Sequence, residues 1–188
     1  MSRRRRVLVV TAGVAALTAA VAANVPAPVT FSRPGLITSI GQSSDITIVK
    51  VMLNTQLKLG LEYKPTAHAA DLAGMKSLLV VVGASAKGLG AAGLDMDKEI
   101  ERTKTLLKAA RAAGVRVMVL HTGGEARRGK TSNDLIDIVV PEADYVVVVA
   151  AGNTDRQFNT LAARRNVPVV EVEKISAAGE AVKAVFKD

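Results

Sequence analysis

The chain reads as an α/β protein: a doubly wound, mainly parallel, Rossmann-like or flavodoxin-like sheet of about six strands. Three observations predict it. Short apolar runs alternate with runs of helical period along the chain. The runs 78–82, 115–120 and 145–149 are apolar almost throughout, as strands buried on both faces of a parallel sheet are. Four of the apolar runs lead into glycine- or serine-bearing loops that precede helices, the arrangement found at the carboxyl edge of such a sheet.

Residues 1–23 read as a signal peptide. Arg3, Arg4, Arg5 and Arg6 precede an uncharged, alanine-rich stretch, and Val21-Ala22-Ala23 offers small residues for cleavage. A membrane anchor left uncleaved is the alternative, against which the apolar stretch is short of the ~20 residues of a spanning helix. The expected location is periplasmic or extracellular, with membrane contact only through the leader. Residues 24–34 carry prolines without periodicity and read as a tether. Residues 35–188 then form one domain.

Within it, residues 36–40 are the first strand. Ser43 or Ser44 caps a helix whose Ile48, Val49, Met52 and Leu53 share a face, stopped by Gly60. Residues 61–67 make a weaker strand, and Lys64 and Pro65 inside it suit a sheet edge. A helical turn follows over residues 69–73, then the third strand at 78–82. In the next helix Met96, Ile100, Thr103, Leu107 and Ala110 line one side; acids crowd its start and Lys108 and Arg111 its end, matching the helix dipole. The strand at 115–120 leads through a long loop to a helix with Leu135, Ile136, Val139 and Val140 inward. After the strand at 145–149, Asn153 or Thr154 caps a helix carrying Phe158, Leu161 and Ala162. The last strand, 167–172, shows exposure at Glu171, and Ser176 begins a terminal helix.

Apolarity orders the strands. The third, fourth and fifth belong in the centre, which favours the order 2-1-3-4-5-6. The order 3-2-1-4-5-6 would put the strongly apolar third strand on an edge. Chain direction then reverses between the first and third strands, and a ligand is expected in the crevice between the Gly41 and Gly83 loops.

Composition narrows the function. Among 188 residues only 3% are aromatic and none is Trp, which argues against a stacking platform. The absence of cysteine removes thiol chemistry and disulfides, and two distant histidines make no metal site. The formal charge of +8 falls to +4 without the leader arginines, so nucleic acid is not an expected partner.

Gly88-Leu89-Gly90-Ala91-Ala92-Gly93 matches Gly-x-Gly-x-x-Gly, but it starts well past the strand end where a dinucleotide site needs its first glycine. It reads as a glycine-rich connector, and no cofactor is expected. Lys87 precedes Gly88, against the order of a P-loop, and Lys87 also stands where a nucleophile elbow needs glycine after Ser85. What remains is chemistry for an anion: hydroxyls, convergent backbone N–H groups, helix N-termini and cations. The candidate ligand-binding set is Gly41, Gln42, Ser43 and Ser44 after the first strand; Gly83, Ser85, Lys87, Gly88 and Gly90 after the third; and His121, Gly123, Gly124, Glu125, Arg127 and Arg128 after the fourth. Lys130 adds a further cation, whereas Ser132 and Asn133 read as helix caps.

The strings Gly83-Ala84-Ser85-Ala86-Lys87-Gly88-Leu89-Gly90-Ala91-Ala92-Gly93-Leu94-Asp95 and His121-Thr122-Gly123-Gly124-Glu125-Ala126-Arg127-Arg128-Gly129, with Gly41-Gln42-Ser43, resemble those of a family of small exported bacterial proteins catalogued only as a domain of unknown function. The resemblance runs from about residue 35 to the C-terminus. It implies export and a compact α/β domain, and it implies no activity, cofactor or catalytic residue.

The leading expectation is therefore an exported module that binds a small anionic metabolite, a carboxylate by preference, in the service of an envelope transporter or sensor. One alternative is a hydrolase or transferase using Ser85 with His121 as catalytic residues. Another is an envelope protein-interaction module whose basic loop, with Arg127 and Arg128, docks an acidic partner.

Overall fold

The computed structural model describes residues 29–187. The expected signal peptide and the first part of the tether lie outside the described residues. The chain begins with β1 (Phe31–Ser32) and β2 (Gly35–Ile40), then α1 (Asp45–Lys50), which runs into a π-helical stretch over Val51–Gln56. β3 (Glu62–Tyr63) is a two-residue edge strand, followed by a 3₁₀ turn at Ala69–Leu72 and β4 (Ser77–Val82). α2 (Ala86–Ala91) and α3 (Met96–Ala112) connect to β5 (Arg116–His121). α4 (Lys130–Val139), β6 (Tyr145–Val149), α5 (Gln157–Ala163), β7 (Val169–Val172), α6 (Ile175–Val185) and β8 (Phe186–Lys187) complete the chain.

Six strands form one all-parallel sheet in the order β3-β2-β4-β5-β6-β7. Counted over the six expected strands, that is 2-1-3-4-5-6. The reason is the one apolarity gives. β2, β4 and β6 are buried along their whole length, and β5 is buried beyond Arg116. The exposed β3 and the half-exposed β7 close the edges.

Alternation of side chains splits the sheet into two cores. On one face Val80, Val119 and Val146 pack under Leu106 of α3, Leu135 of α4 and Phe158 of α5. On the other, Leu79, Met118 and Val147 pack under Val49 of α1 and Val182 of α6. Helices on both faces make the sheet doubly wound.

Four expectations need correction. First, the domain starts before residue 35. Phe31 is fully buried against Tyr145 and Phe186, and β1 pairs in parallel with β8, so the end of the tether stitches the two chain ends together. Second, the glycine-rich connector is partly helical: Ser85 caps α2 by accepting from the Gly88 N–H at 3.1 Å. Third, the buried side of α3 includes Glu99, Arg102 and Leu106, while Met96 and Ile100 are only partly buried. Charge did not keep Glu99 and Arg102 in water, because each satisfies the other. Fourth, Ile48 of α1 is 47% exposed and Ile46 takes the inward place.

Candidate functional site

The loops after β2, β4, β5 and β6 meet at the carboxyl edge, as parallel strands require. The crevice expected between the first two is closed by backbone. Gly83 N–H donates to Ile40 O at 2.9 Å, Ser85 N–H to Gly41 O at 2.8 Å, and Ser43 N–H to Gly83 O at 3.2 Å. Gln42 and Ala84 form an antiparallel bridge. The turn that allows this needs positive φ at Gly41 (95°) and Gln42 (57°). α2 also lies hard on this turn, since a Cβ on Gly88 would stand 1.9 Å from Gln42 O. Gly88 therefore serves close packing of helix on loop. Gly90, in contrast, faces open space.

Beneath the turn lies a buried ion pair absent from the sequence reading. Arg102 donates through Nε to Glu99 Oε2 at 2.8 Å; both side chains are almost wholly shielded from solvent. Glu99 Oε1 accepts from Gly41 N–H at 2.7 Å and from Gln42 Nε2 at 3.2 Å. Arg102 also donates to Ser39 O at 2.6 Å and Ala67 O at 2.7 Å. Gln42 thus points inward as part of the scaffold rather than outward toward a ligand.

The second cluster joins the Gly41 loop to the β5 loop. Ser43 Oγ donates to Asp45 Oδ2 at 3.0 Å, Arg127 Nε lies 3.3 Å from the same carboxylate, and Arg127 donates to Ser44 Oγ at 3.2 Å. Gly83 and Gly123 make room for these groups. A Cβ on Gly123 would stand 2.5 Å from Asp45 Oδ2 and 2.0 Å from Arg127 Cγ. Serines, glycines and an arginine do converge on a carboxylate here, but the carboxylate is the protein's own Asp45.

His121 and Arg128 are likewise engaged. His121 is fully buried, with Nδ1 at 3.0 Å from Val82 O and Nε2 at 3.2 Å from Gly124 O. Burial is the main force that pushes its pKa below the usual histidine value; nearby Arg128 pushes the same way, against the two carbonyl contacts. Ser85 Oγ meets the Gly88 N–H instead of the imidazole, so these two residues do not form a nucleophile–base pair. Arg128 grips Asp155 with both end nitrogens, at 3.1 and 2.7 Å, and reaches Gly152 O, Gln157 and Asn133. This grip and its hydrogen bonds hold the Asp155 carboxyl below the usual carboxylate range. Lys87 and Glu125 are exposed on α2 and on the β5 loop, and Gly124 is buried.

What stays open is the neighbouring depression of about 280 Å³ between α2, the start of α3 and the start of α4. Ala84, Ala86, Leu89 and Met96 form its apolar side; Gly129, Lys130, Thr131 and Ser132 form its polar side. α4 starts from Gly129 with no side-chain cap, and its first backbone partner is Asn133 N–H to Gly129 O at 2.9 Å. The amides of Lys130, Thr131 and Ser132 are thus orphan donors of a helix start. Ser132 Oγ, 4% exposed as a residue, accepts from Ala84 N–H at 2.9 Å. Its own hydroxyl hydrogen meets no acceptor among the described residues. The lining offers donors and no carboxylate. Ser132 and Asn133 are not the caps their residue types predict: Ser132 ties α4 to the β4 loop, and Asn133 Oδ1 accepts from Arg128.

Among the described residues no group of three or more His, Asp or Glu gathers to hold a metal, and no helix is long and apolar enough to cross a membrane. A family model described as "Domain of unknown function (DUF6305)" matches residues 32–186, and the chain belongs to that family. No curated protein matches the chain.

Proposed function

We propose that this member of the family binds a small anionic metabolite, a short-chain carboxylate, in the depression at the start of α4, outside the cytoplasm and in the service of an envelope transporter or sensor. The observation that carries the reading is the convergence of unpaired donors on one side of that depression. Three amides at a helix start favour negative charge, and the Ser132 hydroxyl adds a donor that has no acceptor. The apolar wall of Ala84, Ala86, Leu89 and Met96 suits the aliphatic body of such a ligand. A volume near 280 Å³ limits the ligand to a small metabolite. The leader, with Arg3 to Arg6 ahead of its apolar stretch, supports export.

The site differs from the crevice read from the sequence. The crevice residues hold one another, which supports a rigid platform with the ligand site beside it. The same contacts weigh against catalysis by Ser85 with His121. They also weigh against docking through Arg127 and Arg128, whose charges are met internally.

Calorimetric titration with acetate, butyrate, hexanoate and succinate tests the reading. One saturable site is expected, tightest for a monocarboxylate with a short chain and weakened by Lys130→Glu. No heat of binding with any of the four, or equal affinity in Lys130→Glu, would remove the assignment.

A further inference from the structure

We infer that the groove between α3 and α4 is a docking surface for an acidic amphipathic helix of a partner protein. The groove encloses about 530 Å³, more than the depression of about 280 Å³ at the carboxyl edge. Its floor is apolar, from Leu107 and Ala112 of α3 and Ile138 of α4. Its rim is basic. Lys104, Lys108 and Arg111 follow one another at four and three residues, so they make a single stripe along α3, with Glu142 the one acid opposite.

Two of the three cations in the stripe have no ion partner among the described residues. Arg111 has Glu142 and Asp144 as partners, at 3.4 and 3.3 Å. Lys104 and Lys108 are exposed and make no ion pair among the described residues. Two unpaired lysines one turn apart repel and weaken the helix that carries them. Lys98, Lys130 and Arg156 have Asp95, Asp134 and Glu171 beside them, whereas Lys104 and Lys108, like Lys87, have no such ion partner among the described residues. An acidic partner turns that repulsion into attraction.

The shape points to a helix. The groove lies between two helices, and the stripe from residue 104 to 111 is about 10 Å long, or two helical turns. A helix with apolar residues at i, i+3, i+4 and i+7 would rest on Leu107, Ala112 and Ile138. Acids along its flank would meet Lys104 and Lys108. This surface is separate from the anion site, and neither reading depends on the other.

The test is an amide-shift titration of the ¹⁵N-labelled full chain with a synthetic amphipathic helix of leucine and glutamate, with a leucine–lysine peptide of the same pattern as control. The acidic peptide is expected to move the amides of Leu107, Ala112 and Ile138, and the basic one to leave them in place. Lys104→Glu with Lys108→Glu, both at exposed positions, should weaken binding about tenfold or more. Raising salt from about 10 to 150 mM, which shortens screening from about 30 to 8 Å, should weaken it further. No shift with the acidic peptide, or an equal response to both peptides, overturns the inference. Shifts that grow with protein concentration alone would assign the groove to a second copy of the chain and overturn it as well.

Discussion

Two glycines of one short helix should respond oppositely to the same substitution. Gly88→Ala puts a Cβ 1.9 Å from Gln42 O, a backbone atom that no rotamer change can move aside. To restore ordinary contact near 3.4 Å, α2 or the Gln42 peptide must retreat by about 1.5 Å. That retreat strains the Ser85 N–H to Gly41 O bond at 2.8 Å and the Gln42–Ala84 bridge. Overpacking of this kind costs about 1–3 kcal/mol, and one impaired hydrogen bond about 1 kcal/mol more. Better helix propensity returns about 1 kcal/mol, for a net loss of about 1–3 kcal/mol. Gly90→Ala meets nothing within 4 Å and keeps only the gain of about 0.5–1 kcal/mol. At roughly 2–4 °C per kcal/mol for a domain of this size, the two variants should separate by at least 3 °C in Tm, on opposite sides of the parent. Thermal unfolding followed by circular dichroism reads this directly. A Gly88→Ala protein as stable as Gly90→Ala would refute the claim that the crevice is closed by close packing.

The same platform yields further expectations. Arg102→Ala leaves the Glu99 carboxylate buried without its cation, and should cost about 3–5 kcal/mol in urea unfolding; a loss under 1 kcal/mol would mean that the pair is dispensable. His121 has a folded pKa below the value of 6.5 that it takes when unfolded, so the unfolded chain binds the proton first. Stability should therefore hold above pH 6.5, decline as pH falls below it, and level off once the folded pKa is passed. Unfolding of the parent and of His121→Gln between pH 8 and 4.5 isolates this contribution, and identical pH profiles would contradict it.

Much of the fold was legible because burial writes itself in apolar runs. Val80, Val147 and their neighbours announce central strands, and Lys64 with Pro65 announces an edge. Strand order followed from that ranking alone. The loops were legible as a place and misread as a ligand cradle. Gly83 and Gly123 do make room for a carboxylate, but nothing in residue type distinguishes a metabolite's carboxylate from that of Asp45 across the loop. Glu99 counts in the sequence only as one of the acids at a helix start, and Arg102 carries no signal there, because a charge pair three residues apart looks alike whether it faces water or the core. Ser132 could have been flagged by Gly129 ahead of it, because a helix start without a capping side chain leaves its amides unpaired. Phe31 carried the only warning that the tether was part of the domain, as a large aromatic in a proline-bearing stretch.

The central claim is that the unpaired donors at the start of α4 receive a small carboxylate. The most direct measurement is a ¹H–¹⁵N spectrum of the protein titrated with butyrate at constant pH and ionic strength. The amides of Lys130, Thr131 and Ser132 should shift along saturable curves with one shared dissociation constant, accompanied by the amide of Met96. Shifts that stay linear in butyrate, or a saturable set centred on Asp45 and Arg127 instead, would contradict the account.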